Sequence, residues 1–507
     1  MKYLALVLII CLVALAHVQS RKEPAPGESF PLATGASDTG FHPVDCWFAR
    51  DGDWPPVECY YMRVPESHSD PDSRRISFPV VVFRSQAAKP RHAPVLHLGA
   101  GGPGAPLYLD DSASVEDLWR SLAGMSLSQG RDLVAMDPRG AGLARPLLTC
   151  NRFVDSELLR FRENLTLEQE MRAIDADYHQ CIDDFIAQGV DLSAYNSDAV
   201  ARDVEAMRRA AGIKQWVLVG VSYAANYAIT IANEYPDSVE SMALDSARVL
   251  RVRLHDRYVE TIAGPYQKLF RYCDHDPACE QPLANLEKRF WSLYRKLSEE
   301  PAQVRIDHAS QAEKITLTLN GERFLAAMLQ GVYGIEIFKD LPNIITELES
   351  GNSYSIEPYL WLHVDYMLDR SYGDVSATAH YCYEEEPFID FEHIETLIDE
   401  LPPGYLQDTA RLMLGWPDYC KRMQITETAS KVLPTRPIPT PTLFLHGKLD
   451  TITPLSDITN IQPFFENHRL LTLALSHSIL SSSECARERA ARFIENPQIS
   501  PGQLRCD

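Results

Sequence analysis

Short, almost wholly apolar runs recur along the chain at Val95 to Gly99, Asp132 to Asp137, Trp216 to Val221, Val239 to Asp245, Thr442 to His446 and Arg469 to Leu475. Runs of this length without polar alternation are what strands buried on both faces of a parallel sheet require. Val57 to Val64 and Ile76 to Arg84 precede them as a paired start, so the pattern predicts eight strands. Helical periodicity fills the gaps. Val200, Val204, Met207 and Ala211 recur at helical spacing behind an Asn196-Ser197 cap, and Gly212 closes the helix before the strand at 216. Strands alternating with helices predict an α/β protein with a doubly wound, mostly parallel sheet.

The interval from about 250 to 430 differs in kind. Its apolar positions keep helical spacing in Tyr266 to Phe270, Leu286 to Leu297, Phe324 to Leu329 and Ile394 to Leu401. Lying between the sixth and seventh predicted strands, it reads as a mainly helical cap (250–430) inserted into a core made of residues 45–249 and 431–507. Residues 21–44, rich in Pro, Gly, Ser and Ala without periodicity, read as a flexible leader. Residues 1–20 read as a signal peptide: Lys2 supplies a positive start, Leu4 to Ala16 is continuously apolar, and Val18-Gln19-Ser20 offers a cleavage site. An apolar run of about 13 residues is short of the roughly 20 a spanning helix needs.

Composition narrows the function. With 48 Lys+Arg against 70 Asp+Glu, the net charge of −22 disfavours nucleic acid or an anionic membrane as partner. Without Cys11 of the leader segment, ten cysteines remain: Cys46, Cys59, Cys150, Cys181, Cys273, Cys279, Cys382, Cys420, Cys485 and Cys506. An even count in an exported chain reads as disulfides. Pairing each cysteine with its neighbour in this order closes short loops and is the preferred arrangement. No Cys-x-x-Cys repeat or His-Glu-x-x-His occurs, so no metal site is expected. Asn164-Leu165-Thr166 is a lone glycosylation sequon.

The candidate chemistry sits at predicted strand ends. Gly220-Val221-Ser222-Tyr223-Ala224-Ala225 joins an apolar strand to a helical run, and a serine at such a turn is held above the sheet with its hydroxyl exposed. Ser222 is the candidate nucleophile. Such a serine needs a base and the base an orienting carboxylate, at later strand ends of the same rim. Asp450, in the loop after Thr442 to His446, fits the acid, and His477, just past the last strand, fits the base. His468 precedes that strand and so falls at the opposite edge. The turn Ala100-Gly101-Gly102-Pro103-Gly104 supplies close-approaching backbone amides, so the amides of Tyr223 and Gly102 are assigned to an oxyanion hole, with Gly101 the other candidate. Gly99-x-Gly101-x-x-Gly104 also matches a dinucleotide fingerprint, but Pro103 removes an amide from any phosphate cradle, and no cofactor is expected.

These motifs, with Asp137-Pro138-Arg139-Gly140-Ala141-Gly142 and with Thr453-Pro454 after Asp450, together resemble the α/β-hydrolase serine aminopeptidases, the group of proline iminopeptidases and secreted tripeptidyl aminopeptidases. The resemblance spans residues 45 to 506. It departs at Ala224 and Ala225, where that family usually has glycine, and at Leu143-Ala144, where a serine commonly closes the turn. It implies an α/β-hydrolase fold and a secreted enzyme that releases residues from the free amino end of a peptide through a Ser222–His477–Asp450 triad. A substrate α-amino group is cationic below its pKa of roughly 7.7 to 8.0, so carboxylates are expected beside it. Glu384, Glu385 and Glu386, directly after Cys382, are the candidates. A secreted carboxylesterase or lipase is the alternative, and an inactive hydrolase-fold binding protein a third possibility.

Overall fold

The computed structural model describes residues 39–50, 52–70, 72–87, 93–249, 258–275, 285–401, 406–407, 410, 416–425 and 437–506. The predicted signal peptide and most of the leader lie outside them. The central sheet contains nine strands in the order β1-β2-β3-β5-β4-β6-β7-β10-β11. They are β1 (Gly40–Val44), β2 (Val57–Pro65), β3 (Arg75–Phe83), β4 (Val95–His97), β5 (Leu133–Met136), β6 (Trp216–Val221), β7 (Val239–Asp245), β10 (Thr442–Gly447) and β11 (His468–Leu473). The eight predicted strands are all present. The ninth, β1, falls at the end of the segment read as a leader and pairs antiparallel with β2. Its five residues, GFHPV, carry a proline and no apolar run, which is why pattern reading passes over them.

Strands β1, β2, β3 and β5 pair antiparallel, whereas β5, β4, β6, β7, β10 and β11 form a continuous parallel array. The buried strands β4, β5 and β10 have no exposed position, as their unbroken apolar composition requires. The predicted helix spans Ser197–Ala210. The Asn196 side chain accepts from the Ala199 amide, Arg208 and Arg209 face the negative end of its dipole, and Gly212 follows at φ +66°.

Between β7 and β10 the described residues are mainly helical, with helices Tyr258–His275, Leu286–Glu299, Gly321–Gly331, Glu336–Glu349, Glu357–Met367 and Asp374–Glu384 among them. This region has its own apolar core around Phe290, Phe324 and Phe338. It also contains an antiparallel hairpin, β8 (Ala302–Ile306) with β9 (Ile315–Leu319), which the helical reading did not foresee. Alternating burial of Val304 and Ile306 marks its strand period, too short a signal to stand out among helices.

Disulfides join Cys46 to Cys59, Cys150 to Cys181, Cys382 to Cys420 and Cys485 to Cys506, which is the neighbour pairing. The expected pairing of Cys273 with Cys279 lies outside the described residues. Cys382–Cys420 staples helix Asp374–Glu384 to helix Trp416–Arg422. Among the described residues no helix is long and apolar enough to cross a membrane.

Candidate active site

Ser222 leaves the carboxyl end of β6 with φ +52°, a left-handed conformation costly for a residue with a Cβ. Helix Ala224–Glu234 starts immediately afterwards and turns back across the strand. The crossing is tight at Gly220, where a Cβ would stand 2.8 Å from the Ala224 carbonyl oxygen and 3.0 Å from the Ala225 Cα. The close approach is thus made at Gly220, and the methyl groups of Ala224 and Ala225 pack into the core at 1% and 0% exposure. The departure from glycine at these two positions is thereby accommodated.

Asp450 and His477 meet across the exits of β10 and β11. The His477 Nδ1 lies 2.9 Å from Asp450 Oδ2, with the carboxylate fully buried. Asp450 Oδ1 accepts from the Ile452 and Thr453 amides, both at 2.9 Å, and Oδ2 also accepts from the Thr453 hydroxyl at 2.8 Å. Burial pushes this carboxyl up, but the His477 imidazole beside it and these donors bring it below its usual pKa, so it is ionised. Gly447 makes the meeting possible: a Cβ there would stand 1.9 Å from the Ser476 carbonyl oxygen. His468 begins β11 and donates its Nδ1–H to the Phe465 carbonyl oxygen at 2.9 Å, at the far edge. A second buried histidine, His446, lies within electrostatic range of Asp450; burial pushes it down to about 4, leaving a neutral ring.

Two residues absent from the sequence reading join these parts. Asp245, at the end of β7, accepts the Ser222 amide on its backbone carbonyl at 2.9 Å. Its buried carboxylate accepts the Ile479 and Leu480 amides at 3.1 and 2.7 Å, in the helical turn that follows His477. Ser246, at φ +48°, accepts the Ser478 amide on its hydroxyl at 2.8 Å, and its carbonyl, 2.9 Å from the Thr453 hydroxyl, shares that single proton with Asp450. One dipeptide therefore ties the serine, acid and histidine segments to a single strand exit. Burial pushes the Asp245 carboxyl up to about 6, opposed by those amides and by His477. The only sequence signal is a charged residue closing an apolar strand.

The glycine turn lies against Ser222 because β4 and β6 are neighbours. A Cβ on Gly101, at φ +94°, would stand 2.6 Å from the Ser222 Cβ and 2.8 Å from the Val221 carbonyl oxygen. Gly102, at φ +54°, follows. The turn is held by buried Asp137, which accepts the Leu107 and Leu143 amides at 2.6 and 3.2 Å and whose carboxyl burial pushes up to about 7. Arg139 of the same motif is buried and paired bidentately with Asp203 at 2.7 and 2.6 Å, so the Asp-Pro-Arg-Gly segment clamps the loops beneath the site.

The three glutamates have separate surroundings. Glu384 is 2% exposed and accepts the Ser197 amide at 2.5 Å and the Tyr223 hydroxyl; burial pushes its carboxyl up to about 7. Glu385 is buried and pairs through both oxygens with Arg248, at 2.9 and 3.1 Å. The Arg248 amide donates to the Ser222 carbonyl at 2.9 Å. Glu386 is half-buried at the start of a short 3-10 turn. The acidic run is therefore folded inward toward the serine turn at its first two members.

This sheet order is that of an α/β-hydrolase fold, and the strained serine after β6 and the acid–histidine pair after β10 and β11 stand where such a fold carries its candidate catalytic groups. The family model described as the alpha/beta hydrolase fold matches residues 99–276, a span that includes Ser222 and ends before Asp450 and His477. Among curated proteins the chain is 26% identical over 294 residues to the putative hydrolase YuaR of Escherichia coli, covering 54% of this chain and 55% of that protein. It is 21% identical over 472 residues to serine protease Hip1 of Mycobacterium tuberculosis, covering 88% and 87%. It is 26% identical over 239 residues to a tripeptidyl aminopeptidase of Streptomyces lividans, covering 45% and 42%. The alignments with the first and third thus span about half or less of those relatives' lengths.

Proposed function

We propose that this hydrolase is an exported serine aminopeptidase, cleaving residues or short peptides from a free amino terminus. The observation that carries the reading is the His477–Asp450 hydrogen bond at the strand exits that also hold Ser222. In this reading His477 takes the Ser222 proton as the hydroxyl oxygen attacks the scissile carbonyl. Asp450 fixes the imidazole tautomer and stabilises the imidazolium. The Gly102 and Tyr223 amides receive the developing oxyanion. Collapse breaks the amide bond, His477 protonates the leaving amine, and an acyl-Ser222 ester remains. Water, deprotonated by His477, then releases the acyl group and regenerates the serine. The chain's own residues supply every proton transfer.

The acidic segment is the proposed amino-group side of the site. Glu384 reaches the serine turn through the Tyr223 hydroxyl and Glu385 through Arg248, so a cation there meets carboxylates already held in place. Four disulfides and the apolar Leu4 to Ala16 run support export.

A fluorophosphonate probe is expected to label the wild-type protein and not Ser222→Ala, whose kcat should fall by about 10⁴-fold or more. Hydrolysis of aminoacyl and tripeptidyl amides should then be lost when the amino end is blocked. Labelling with indifference to blocking would instead mark an esterase, and no labelling would mark a binding protein.

A further inference from the structure

Near the serine turn, tyrosines of the region between β7 and β10 gather around the proposed catalytic groups, three of them directly and Tyr366 through Tyr372. The Tyr333 ring stands edge-on to the His477 imidazole, centroids 5.3 Å apart and planes at 84°. The Tyr372 hydroxyl lies 3.6 Å from the point a Cβ on Gly102 would occupy. Tyr366 packs on Tyr372 at 5.7 Å, and Tyr381 on Tyr223 at 6.2 Å. Burial pushes the Tyr372 phenol well above its usual range, so it is uncharged.

None of the four is fully buried. Tyr333 is 47% exposed and Tyr366 49%, and Tyr372 and Tyr381 are intermediate. Leu362, at 42%, lies four residues before Tyr366 on one face of helix Glu357–Met367, and Leu329, at 39%, stands in the last turn of helix Gly321–Gly331, which leads into Tyr333. Helices Gly321–Gly331 and Glu357–Met367, which carry or lead into these pairs, pack against each other. Of the seven large hydrophobic side chains most exposed among the described residues, four therefore belong to this one pair of helices and their ends. Apolar surface left uncovered in a cluster marks a binding site.

We infer that these tyrosines and leucines form the subsite for the side chain of the residue bearing the scissile carbonyl, and that this side chain is large and apolar, aromatic or branched aliphatic. The inference rests on the serine-hydrolase reading above and names its substrate class. The Tyr372 hydroxyl stands close to Gly102, so an acyl group whose oxygen is held by the Gly102 amide would lie near these rings and its side chain would enter among them. Edge-on and offset contacts with phenol rings favour an aromatic or bulky aliphatic occupant. A charged side chain entering these rings and leucines would exchange its water for side chains that carry no charge of their own.

The test uses the whole protein and free-amine aminoacyl amides differing only in that side chain, Phe, Leu, Ala, Asp and Lys, beside acyl esters carrying Phe or Ala. Phe and Leu should exceed Ala in kcat/KM by about tenfold or more, with Asp and Lys below Ala. Tyr366→Ala should lower kcat/KM for the Phe substrate about tenfold more than for the Ala substrate, and Tyr366→Phe should keep the wild-type ratio. Tyr366 is half exposed, so its replacement leaves the core intact. A flat profile in both series, or Tyr366→Ala lowering Phe and Ala alike, overturns the inference. Fluorophosphonate labelling separates the two failures. An unlabelled Ser222 removes the hydrolase reading and the subsite with it, whereas a labelled enzyme with a flat profile removes the subsite alone.

Discussion

At the rim of the sheet, the groups bracketing Ser222 are buried and bonded to one another: Asp245, Ser246 and Asp450 all stand at 0% exposure. Tyr333, which stands edge-on to the His477 ring, and Tyr366, Leu329 and Leu362 are by contrast about two-fifths to half exposed. The rim is held by backbone amides donating to buried carboxylates, contacts with strict length and direction. The tyrosine side is held by ring contacts, which tolerate a range of offsets and angles. Chemistry that must place a hydroxyl, an imidazole and two amides within fractions of an ångström needs the first kind of support. Recognition of variable side chains is served by the second. The difference also explains where each lives: strand exits share a common hydrogen-bonded frame, whereas the helices beyond β7 carry a separate apolar core.

The contrast is broken most severely at Gly101. Gly101→Ala adds a Cβ at 2.6 Å from the Ser222 Cβ, in a backbone conformation that disfavours any side chain. The expected result is a fall in kcat of about 10²- to 10³-fold, the size of losing an oxyanion donor, with KM little changed. An active Gly101→Ala enzyme would mean the rim is as forgiving as the tyrosine face. A smaller loss, about tenfold in kcat, is expected for Asp245→Asn, which keeps the shape but loses one of the two amide acceptors that hold the turn after His477. Its effect should be equal for Phe and Ala substrates, in contrast to Tyr366→Ala, and kinetics on both would show it.

The smallest expected effect is on stability and concerns pH. Burial raises the carboxyls of Asp245 to about 6 and of Asp137, Asp374 and Glu384 to about 7. Between about pH 4 and 7 the folded protein therefore keeps protons that the unfolded chain has released. Stability from these groups is full below about pH 4 and declines as pH rises through 6 to 7. Denaturant titrations across that window should show the decline, and Asp374→Asn should make it shallower. An unchanged slope in Asp374→Asn would mean its carboxyl is ionised in the fold, supported by the Cys150 amide it accepts at 2.8 Å.

The inner parallel strands are legible because a strand covered on both faces admits almost no polar residue, a condition that Trp216–Val221 and Thr442–Gly447 satisfy completely enough to be read locally. The serine turn was visible for a similar reason, since Gly220 and Ser222 answer to steric demands within a few residues of each other. The hairpin β8–β9 and the strand β1 were not, because each is short and its pairing partner, rather than its own pattern, makes it a strand. The role of Asp245 was hidden for a different reason: its amide partners, Ile479 and Leu480, are 234 and 235 residues away along the chain.

Local signals in the chain carry the layered α/β architecture and the candidate serine, acid and histidine at strand ends, and they favoured the neighbour pairing that four disulfides among the described residues follow, because periodicity, strand-end position and short loops are local properties. It took the folded arrangement to show that Asp245 and Ser246 bind the three segments together, that Glu384 and Glu385 turn inward, and that tyrosines from the helical region reach His477, Gly102 and Tyr223. Those outcomes depend on which strand exits and helix faces become neighbours, and side-chain contacts across hundreds of residues leave no periodic trace in the chain that makes them.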